Sequence, residues 1–155
     1  MFHNILISPG KVVEVFADDD ARLIIQKWID IFARNRKGCC IKNFKWYIFS
    51  GGYYESEDGD DALSAYSKHI ADRYFVINNS EALVFVTDIR PNRVSLSDYY
   101  ICPPNMAWTM AFTHEDDWLG PYFAKHPDYK ILELENQRYR RKLKEIEEAK
   151  CKGWC

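Results

Sequence analysis

Residues 107–123 read Ala107-Trp108-Thr109-Met110-Ala111-Phe112-Thr113-His114-Glu115-Asp116-Asp117-Trp118-Leu119-Gly120-Pro121-Tyr122-Phe123. Trp108, Met110 and Phe112 alternate with smaller side chains, and this period of two predicts a half-buried strand. Four polar residues follow at once, and the Gly120-Pro121 pair then interrupts regular structure. The order of these features predicts a strand that runs into a polar cluster, which is a candidate site.

Three β-prone runs precede this strand and are separated by short polar turns. Residues 73–77 and 82–86 flank Asn78-Asn79-Ser80, whose residue types tolerate the left-handed backbone of a tight hairpin. Residues 94–101 form the next run, and Tyr99-Tyr100-Ile101 is its strongest part. Four consecutive strands with short turns predict an antiparallel meander from which the helices are segregated.

The sequence of the N-terminal half predicts a helix between two strand regions. Residues 12–16 are β-prone, and residues 44–50 are apolar on both alternating faces, which predicts a central strand. Apolar residues recur at helical spacing over residues 20–34, behind three acids at 18–20 that supply an N-cap and first-turn negative charge. We therefore predict an α+β fold: an antiparallel sheet of about five to six strands, with helices packed on one side.

The C-terminal part has a different composition from the rest. After residue 127, Leu132, Tyr139, Leu143 and Ile146 form only a thin apolar stripe, and most other residues are charged. A helix with this pattern packs by a narrow seam and shows most of its surface to water. We predict a single α+β domain over residues 1–127 and a long charged C-terminal helical extension over residues 128–155.

The composition excludes several classes of function. The formal net charge of −2 lacks the basic excess typical of nucleic-acid-binding proteins. There is no apolar run of about 18 residues, so no membrane span is predicted. Five cysteines without a framework spacing favour a reducing, cytoplasmic environment. Aromatic residues make up 15% of the chain, more than its core needs, so some are expected at a binding surface.

Two motifs together resemble a known family. The segment Trp46-Tyr47-Ile48-Phe49-Ser50 matches W-x-I-F-S, and residues 113–123 match T-H-E-x-x-W-x-G-P-Y-F. Together they resemble a family of small bacterial proteins of unknown function, over roughly residues 12–124. Members of that family tend to carry Cys before the final Gly-Pro, where this chain has Leu119. The resemblance implies a fold and a region of interest, but no chemistry.

An acidic loop behind two tyrosines is the most distinctive predicted surface feature. Asp60 and Asp61 are explained as caps or first-turn charges of a short helix. Glu55, Glu57 and Asp58 have no such explanation, and negative charge beside exposed aromatics favours docking onto a basic protein. We therefore predict an immunity or antitoxin type of protein that binds a basic toxin enzyme. The predicted contacts are Tyr53, Tyr54, Glu55, Glu57, Asp58, Asp60 and Asp61, with Trp118 and Tyr122 as a second choice.

Two alternatives remain open from the sequence. His114 and Glu115 carry suitable groups for a small metal-dependent hydrolase, but consecutive residues point in different directions, so further ligands such as His69, Asp88 or the acids at 55–61 are needed. The terminal helix is a candidate interface for an oligomerising module.

No cofactor and no metal is predicted, because Cys39, Cys40, Cys151 and Cys155 lack the C-x₂-C spacing of zinc sites. Cys102 is predicted to be a core residue.

Overall fold

A computed structural model describes residues 5–34, 41–115 and 119–151 of the chain. Helices and strands are mixed along the chain rather than alternating regularly, as expected for an α+β fold. In chain order the elements are β1 (Ile7–Ser8), β2 (Val12–Ala17), α1 (Asp18–Phe32), α2 (Tyr47–Ser50), β3 (Glu57–Asp58), α3 (Gly59–Lys68), β4 (Tyr74–Asn78), β5 (Leu83–Thr87), β6 (Arg93–Val94), β7 (Tyr99–Cys102), β8 (Trp108–Phe112), β9 (Tyr122–Lys125) and α4 (Tyr129–Cys151).

The main sheet has seven strands in the order β2-β5-β4-β7-β8-β9-β3, and every neighbouring pair is antiparallel. A separate pair, β1 with β6, lies apart from it. The predicted α+β class is confirmed, but the sheet has more than the five to six strands expected. The prediction misses β3 and β9, whose two and four residues are too few to leave a clear period in the sequence.

The strand order differs from a simple meander. β4 and β5 form the predicted hairpin, with Val76 opposite Phe85. However, β7 pairs with β4, where Ile101 lies opposite Val76, and β2 pairs with the other edge of β5. The chain between β5 and β7 therefore passes back across the hairpin, and this connection contains β6.

Residues 47–50 form a single helical turn, so the predicted central strand at 44–50 is wrong. The N–H groups of Phe49 and Ser50 both donate to the Trp46 carbonyl, at 2.9 and 3.1 Å. Trp46, Ile48 and Phe49 are all buried in the same core cluster. A short run that is apolar on both sides suits a buried helical turn as well as a buried strand, and periodicity alone does not separate them.

Two hydrophobic cores cover the two faces of the sheet, because alternate strand residues point to opposite faces. On one face, Trp28 of α1 is fully buried with Tyr100 and the α2 segment. On the other, Tyr66 of α3 packs with Trp108, and the start of α4 packs beside them. The prediction that the helices lie on one side is therefore wrong. β8 is likewise covered on both faces, where half burial was predicted.

The acids predicted to cap α1 and α3 lie inside the first turns of these helices. Asp18, Asp19 and Asp20 open α1, and no side chain caps that helix. Asp60 and Asp61 occupy the first turn of α3 in the same way. The predicted N-cap role is wrong for these residues, but the predicted first-turn charge, which interacts favourably with the helix dipole, is confirmed.

The predicted long charged C-terminal helix is confirmed, and α4 spans Tyr129–Cys151 within the predicted extension of residues 128–155. Tyr129 and Leu132 pack against the second core, and Glu133 is buried. From residue 137 to residue 151, every side chain that the structure describes is exposed except Ala149. The second half of α4 therefore has no covering partner in the described chain. None of the described helices has the length and hydropathy needed to cross a membrane.

Candidate functional site

A cleft of about 910 Å³ opens between the acidic loop and the turn that leads into α4. One wall is formed by residues 53–57 and the other by residues 125–131, and Phe123 of β9 also lines the cleft. β3 holds the acidic wall in place, because Glu57 pairs with Phe123 at the edge of the sheet. The volume lies in the range of about 300–1,000 Å³ typical of ligand sites. The cleft is therefore large enough to receive a segment of another molecule.

The acidic wall carries uncompensated negative charge. The acidic loop and the first turn of α3 carry five exposed carboxylates, of which Glu55 and Glu57 line the cleft, and none of the five lies within 4.0 Å of a basic group in the parts of the chain that are described. Like charges this close together repel one another, even when solvent screens part of the interaction. These carboxylates are the predicted Glu55, Glu57, Asp58, Asp60 and Asp61.

The two predicted tyrosines have different roles. Tyr53 is 40% exposed and presents its ring to solvent. Tyr54 is half-buried, with its ring edge-on to Phe32 at 5.4 Å between centroids and its hydroxyl donating to the Lys125 carbonyl. Burial, together with the charge of Glu55, raises the pKa of Tyr54 to about 12. Tyr54 therefore remains a neutral donor that holds the loop against β9, while Tyr53 is free to make contacts.

The opposite wall carries positive charge and the start of α4. The Lys125 ammonium lies 4.8 Å from the centroid of the Tyr129 ring, a cation–π contact. The Tyr129 hydroxyl bonds to Nε2 of His69 at 2.5 Å, and Nδ1 of His69 bonds to the Ala65 carbonyl at 2.6 Å. Because a carbonyl only accepts, the neutral imidazole carries its proton on Nδ1, and Tyr129 donates to Nε2. These contacts fasten the start of α4 to α3.

Of the two second-choice contact residues, the structure describes only Tyr122. Trp118 lies outside the described residues. Tyr122 is only 5% exposed and stacks on Trp46 at 6.5 Å, so its ring belongs to the core. Burial raises the pKa of Tyr122, and the charges of Asp58 and Glu115 raise it further. Asp58 of the acidic loop lies opposite Tyr122 in the pairing of β3 with β9.

Asp98 organises a second polar site that the sequence does not reveal. Its carboxylate is only 8% exposed and accepts hydrogen bonds from Nε1 of Trp46 at 2.9 Å and from the backbone N–H of His114 at 3.0 Å. Nδ1 of His114 lies 3.0 and 3.1 Å from its two oxygens. Asp98 stands just before the Tyr99-Tyr100-Ile101 run, where nothing in the local pattern distinguishes it from a turn residue.

The orientation of His114 follows from Asp98. Because the carboxylate accepts, Nδ1 of His114 carries the proton, and Nε2 points away, 3.6 Å from an oxygen of Glu115. The hydrogen bond to Asp98 raises the pKa of His114, as do the charges of Asp98 and Glu115, although desolvation opposes the shift. The ring lies 5.1 Å from that of Phe44 between centroids. An imidazole held in this way can accept or release a proton at Nε2.

His69 and Asp88, the further ligands named for a metal site at His114, make their hydrogen bonds elsewhere. His69 is bonded to Tyr129, and Asp88 accepts from the Lys11 backbone at 3.1 Å. Over residues 5–34, 41–115 and 119–151, no group of three or more His, Cys, Asp or Glu side chains is arranged to hold a metal ion. Asp116 and Asp117 lie outside these ranges.

The cysteines offer no reactive centre in the described structure. Cys102 is fully buried and free, as predicted, and burial raises the pKa of its thiol. A buried thiol of this kind is a poor nucleophile. Cys151 is exposed on α4. The remaining cysteines of the predicted set, Cys39, Cys40 and Cys155, lie outside the described residues.

Replacing His114 with glutamine should make stability less dependent on pH. The raised pKa means that the charged His114–Asp98 pair stabilises the native state fully below the unfolded-state pKa of about 6.5. This contribution is lost as pH rises through the native pKa. We therefore expect wild type to exceed the variant in unfolding free energy by more at pH 6 than at pH 9, as measured by urea denaturation. A difference that grows with pH would contradict this assignment.

The architecture defines a small α+β domain with helices on both faces of one antiparallel sheet. The chain belongs to the family described as "Domain of unknown function (DUF4275)", whose model matches residues 14–123. The match covers most of the region predicted from the two motifs and ends before α4. No curated protein and no solved structure matches the chain. Membership places the chain among proteins without an assigned activity.

Proposed function

We propose that this chain is a non-enzymatic, cytoplasmic protein-binding domain of the immunity or antitoxin type, which neutralises a basic toxin enzyme. The acids of the cleft attract the partner and orient it as it approaches. The exposed ring of Tyr53 supplies contact area with few torsions to order. Tyr54, Glu55, Glu57, Asp58, Asp60 and Asp61 complete the contact set, and Trp118 remains a second choice.

The unpaired acidic wall of an open cleft is the observation that carries this proposal. Within the fold, a lysine of the facing wall could neutralise the acids that line the cleft. Instead, Lys125 lies over the Tyr129 ring, and neither Glu55 nor Glu57 has an ion pair among the residues described. A basic partner supplies the missing positive charge and at the same time fills the cleft.

Reversing charge at Glu57 and Asp58 should slow association with the partner. The variant Glu57→Lys/Asp58→Lys is expected to reduce the association rate by about tenfold or more at low salt, because it removes attraction and adds repulsion. Surface plasmon resonance over a range of salt concentrations measures the effect, which should shrink as salt is raised.

The matched control is Glu147→Lys/Glu148→Lys on α4. Either double reversal raises the formal charge by four, from −2 to +2, so general electrostatics change equally. The control residues lie at the exposed far end of α4, away from the cleft. Equal association rates for both variants would show that the effect comes from net charge, and would refute the proposed contact residues.

The partner is to be isolated by affinity capture from the native cells at low salt, followed by mass spectrometry. The expected result is a stoichiometric basic protein that is released as salt is raised. It should bind the Glu147→Lys/Glu148→Lys control but not Glu57→Lys/Asp58→Lys. A captured protein retained equally by both variants would not be the proposed partner.

A small hydrolase built on His114 and Glu115 is the second candidate function. The observation that favours it is the Asp98–His114 pair, which leaves Nε2 of His114 available for proton transfer. The test is hydrolysis of simple ester and phosphodiester substrates, with and without added divalent metal ions. Activity that is lost in His114→Gln and kept in Glu57→Lys/Asp58→Lys would support this candidate over the binding proposal.

A further inference from the structure

One face of α4 is exposed along the helix and changes character as it leaves the cleft. Ile131 and Leu134 are 67% and 43% exposed and lie one turn apart on the same face of the helix. Arg138, Arg141 and Glu145 continue this face at spacings of four, three and four residues, and all three are exposed. The face is therefore apolar beside the cleft, then basic, then acidic.

The opposite face of α4 explains why this one is free. Tyr129 and Leu132 pack on the second core, and the side-chain amide of Asn136 bonds to Asn105 at 3.3 Å. These residues anchor the first two turns of the helix and leave the Ile131–Leu134 side exposed, with Ile131 at the edge of the cleft. Arg138 and Arg141 have no ion pair with any acid in the described part of the chain.

The side chains that line the cleft complement the exposed face of α4 in charge. Its acidic wall has unpaired carboxylates at Glu55 and Glu57, and its other wall carries Lys125 and Lys130 with the exposed Asp128 between them. Ile131 belongs both to the lining of the cleft and to the exposed face of α4, so the two surfaces are continuous.

We propose that the exposed face of α4 docks across the cleft of a second copy of this chain, giving a two-fold symmetric dimer with antiparallel α4 helices. Arg141 lies ten residues beyond Ile131, about 15 Å along the helix. Antiparallel pairing places the arginines of one copy over Ile131 and Leu134 of the other. Their aliphatic parts cover these apolar side chains, and their guanidinium groups reach the acidic wall.

Symmetry makes this arrangement self-limiting. Each copy offers one helix face and one cleft, so both copies are satisfied in a closed dimer. The acid at position 145 of each helix approaches the lysine-bearing wall of the other copy. The dimer uses the same cleft as the proposed partner site but does not depend on that function, and partner binding would compete with it.

Two charge-reversal variants, alone and mixed, test the proposal. Sedimentation velocity of the full chain measures the association. Wild type should associate at about 0.1 M salt and dissociate at about 1 M, where the screening length falls from about 10 Å to about 3 Å. Glu55→Lys/Glu57→Lys and Arg138→Glu/Arg141→Glu should each weaken the dimer by at least about tenfold. An equimolar mixture of the two variants should restore it, because each reversed surface then meets its complement.

The matched control is Arg140→Glu/Lys144→Glu, which makes the same charge change on another side of the helix and should leave the dimer intact. A wild-type monomer at low salt, or a mixture that fails to associate, would overturn the proposal. Partner capture separates this result from the proposed function: Arg138→Glu/Arg141→Glu should lose the dimer and still bind the basic partner.

Discussion

Replacing Asp98 with alanine is expected to lower the free energy of unfolding by about 3 kcal/mol. The buried carboxylate accepts from Trp46 Nε1 and from the backbone and side chain of His114. Trp46 is almost fully buried, so without Asp98 its indole N–H loses its acceptor where water has little access. Urea denaturation monitored by tryptophan fluorescence and by circular dichroism measures the loss.

The matched variant is Asp98→Asn, which keeps an acceptor oxygen but removes the charge. Its Oδ1 can still accept from Trp46 Nε1 and from the His114 backbone, so the expected loss is only about 1 kcal/mol. It should also remove most of the pH-dependent stability that His114 contributes, because the carboxylate is the main cause of the raised pKa of His114. Equal losses for alanine and asparagine would show that charge, and not hydrogen bonding, is what Asp98 supplies.

The acids of the proposed binding surface are more accessible to sequence reasoning than the Asp98 site, for a physical reason. Charge on a loop is visible because consecutive acids stand out against the average composition, and all five predicted acids are exposed. Asp98 and His114 are 16 residues apart and meet only because β7 and β8 are paired. A lone aspartate before a strand has no local signature of such a contact.

The facing wall of the cleft was missed for the same reason. Lys125 and Lys130 flank the turn into α4 and look like ordinary surface charges in the sequence. Their position opposite Glu55 and Glu57 depends on the pairing of β3 with β9, two short strands that leave no readable period. The acids could be selected from the sequence, but the cleft between them and the lysines could not.

In the fold, long periodic elements were predictable and short buried ones were not. α4 and the β4–β5 hairpin have enough residues for their period or turn signal to be read. The α2 turn is apolar on all sides because it lies in a core, so its sequence carries no period that identifies it as helical. The half-buried pattern predicted for β8 leaves one face of that strand open, whereas the structure covers both faces. The buried Thr109, which accepts from Trp28 at 2.9 Å, shows how a polar residue on the supposedly open face can be covered.

Trp108 should be the core residue whose truncation has the largest effect. It is fully buried at the centre of the second core, stacked on Phe123 at 5.6 Å and edge-on to Tyr66 at 5.9 Å. Trp108→Ala removes a large apolar side chain between the sheet and α3, and the rigid sheet limits how far the cavity can collapse. We expect a loss of about 4 kcal/mol in the free energy of unfolding.

Replacement by phenylalanine separates packing from hydrogen bonding at this position. Nε1 of Trp108 has no partner among the described residues, so Trp108→Phe removes an unsatisfied donor along with part of the ring and should cost only about 1 kcal/mol. The matched control is Trp28→Phe, which breaks the bond to Thr109 on the other face of the same strand and should cost about 2 kcal/mol or more. The two tryptophans are equally buried, so the difference between these variants measures the contribution of the single hydrogen bond. Equal losses in urea denaturation would mean that packing alone determines the cost on both faces of β8.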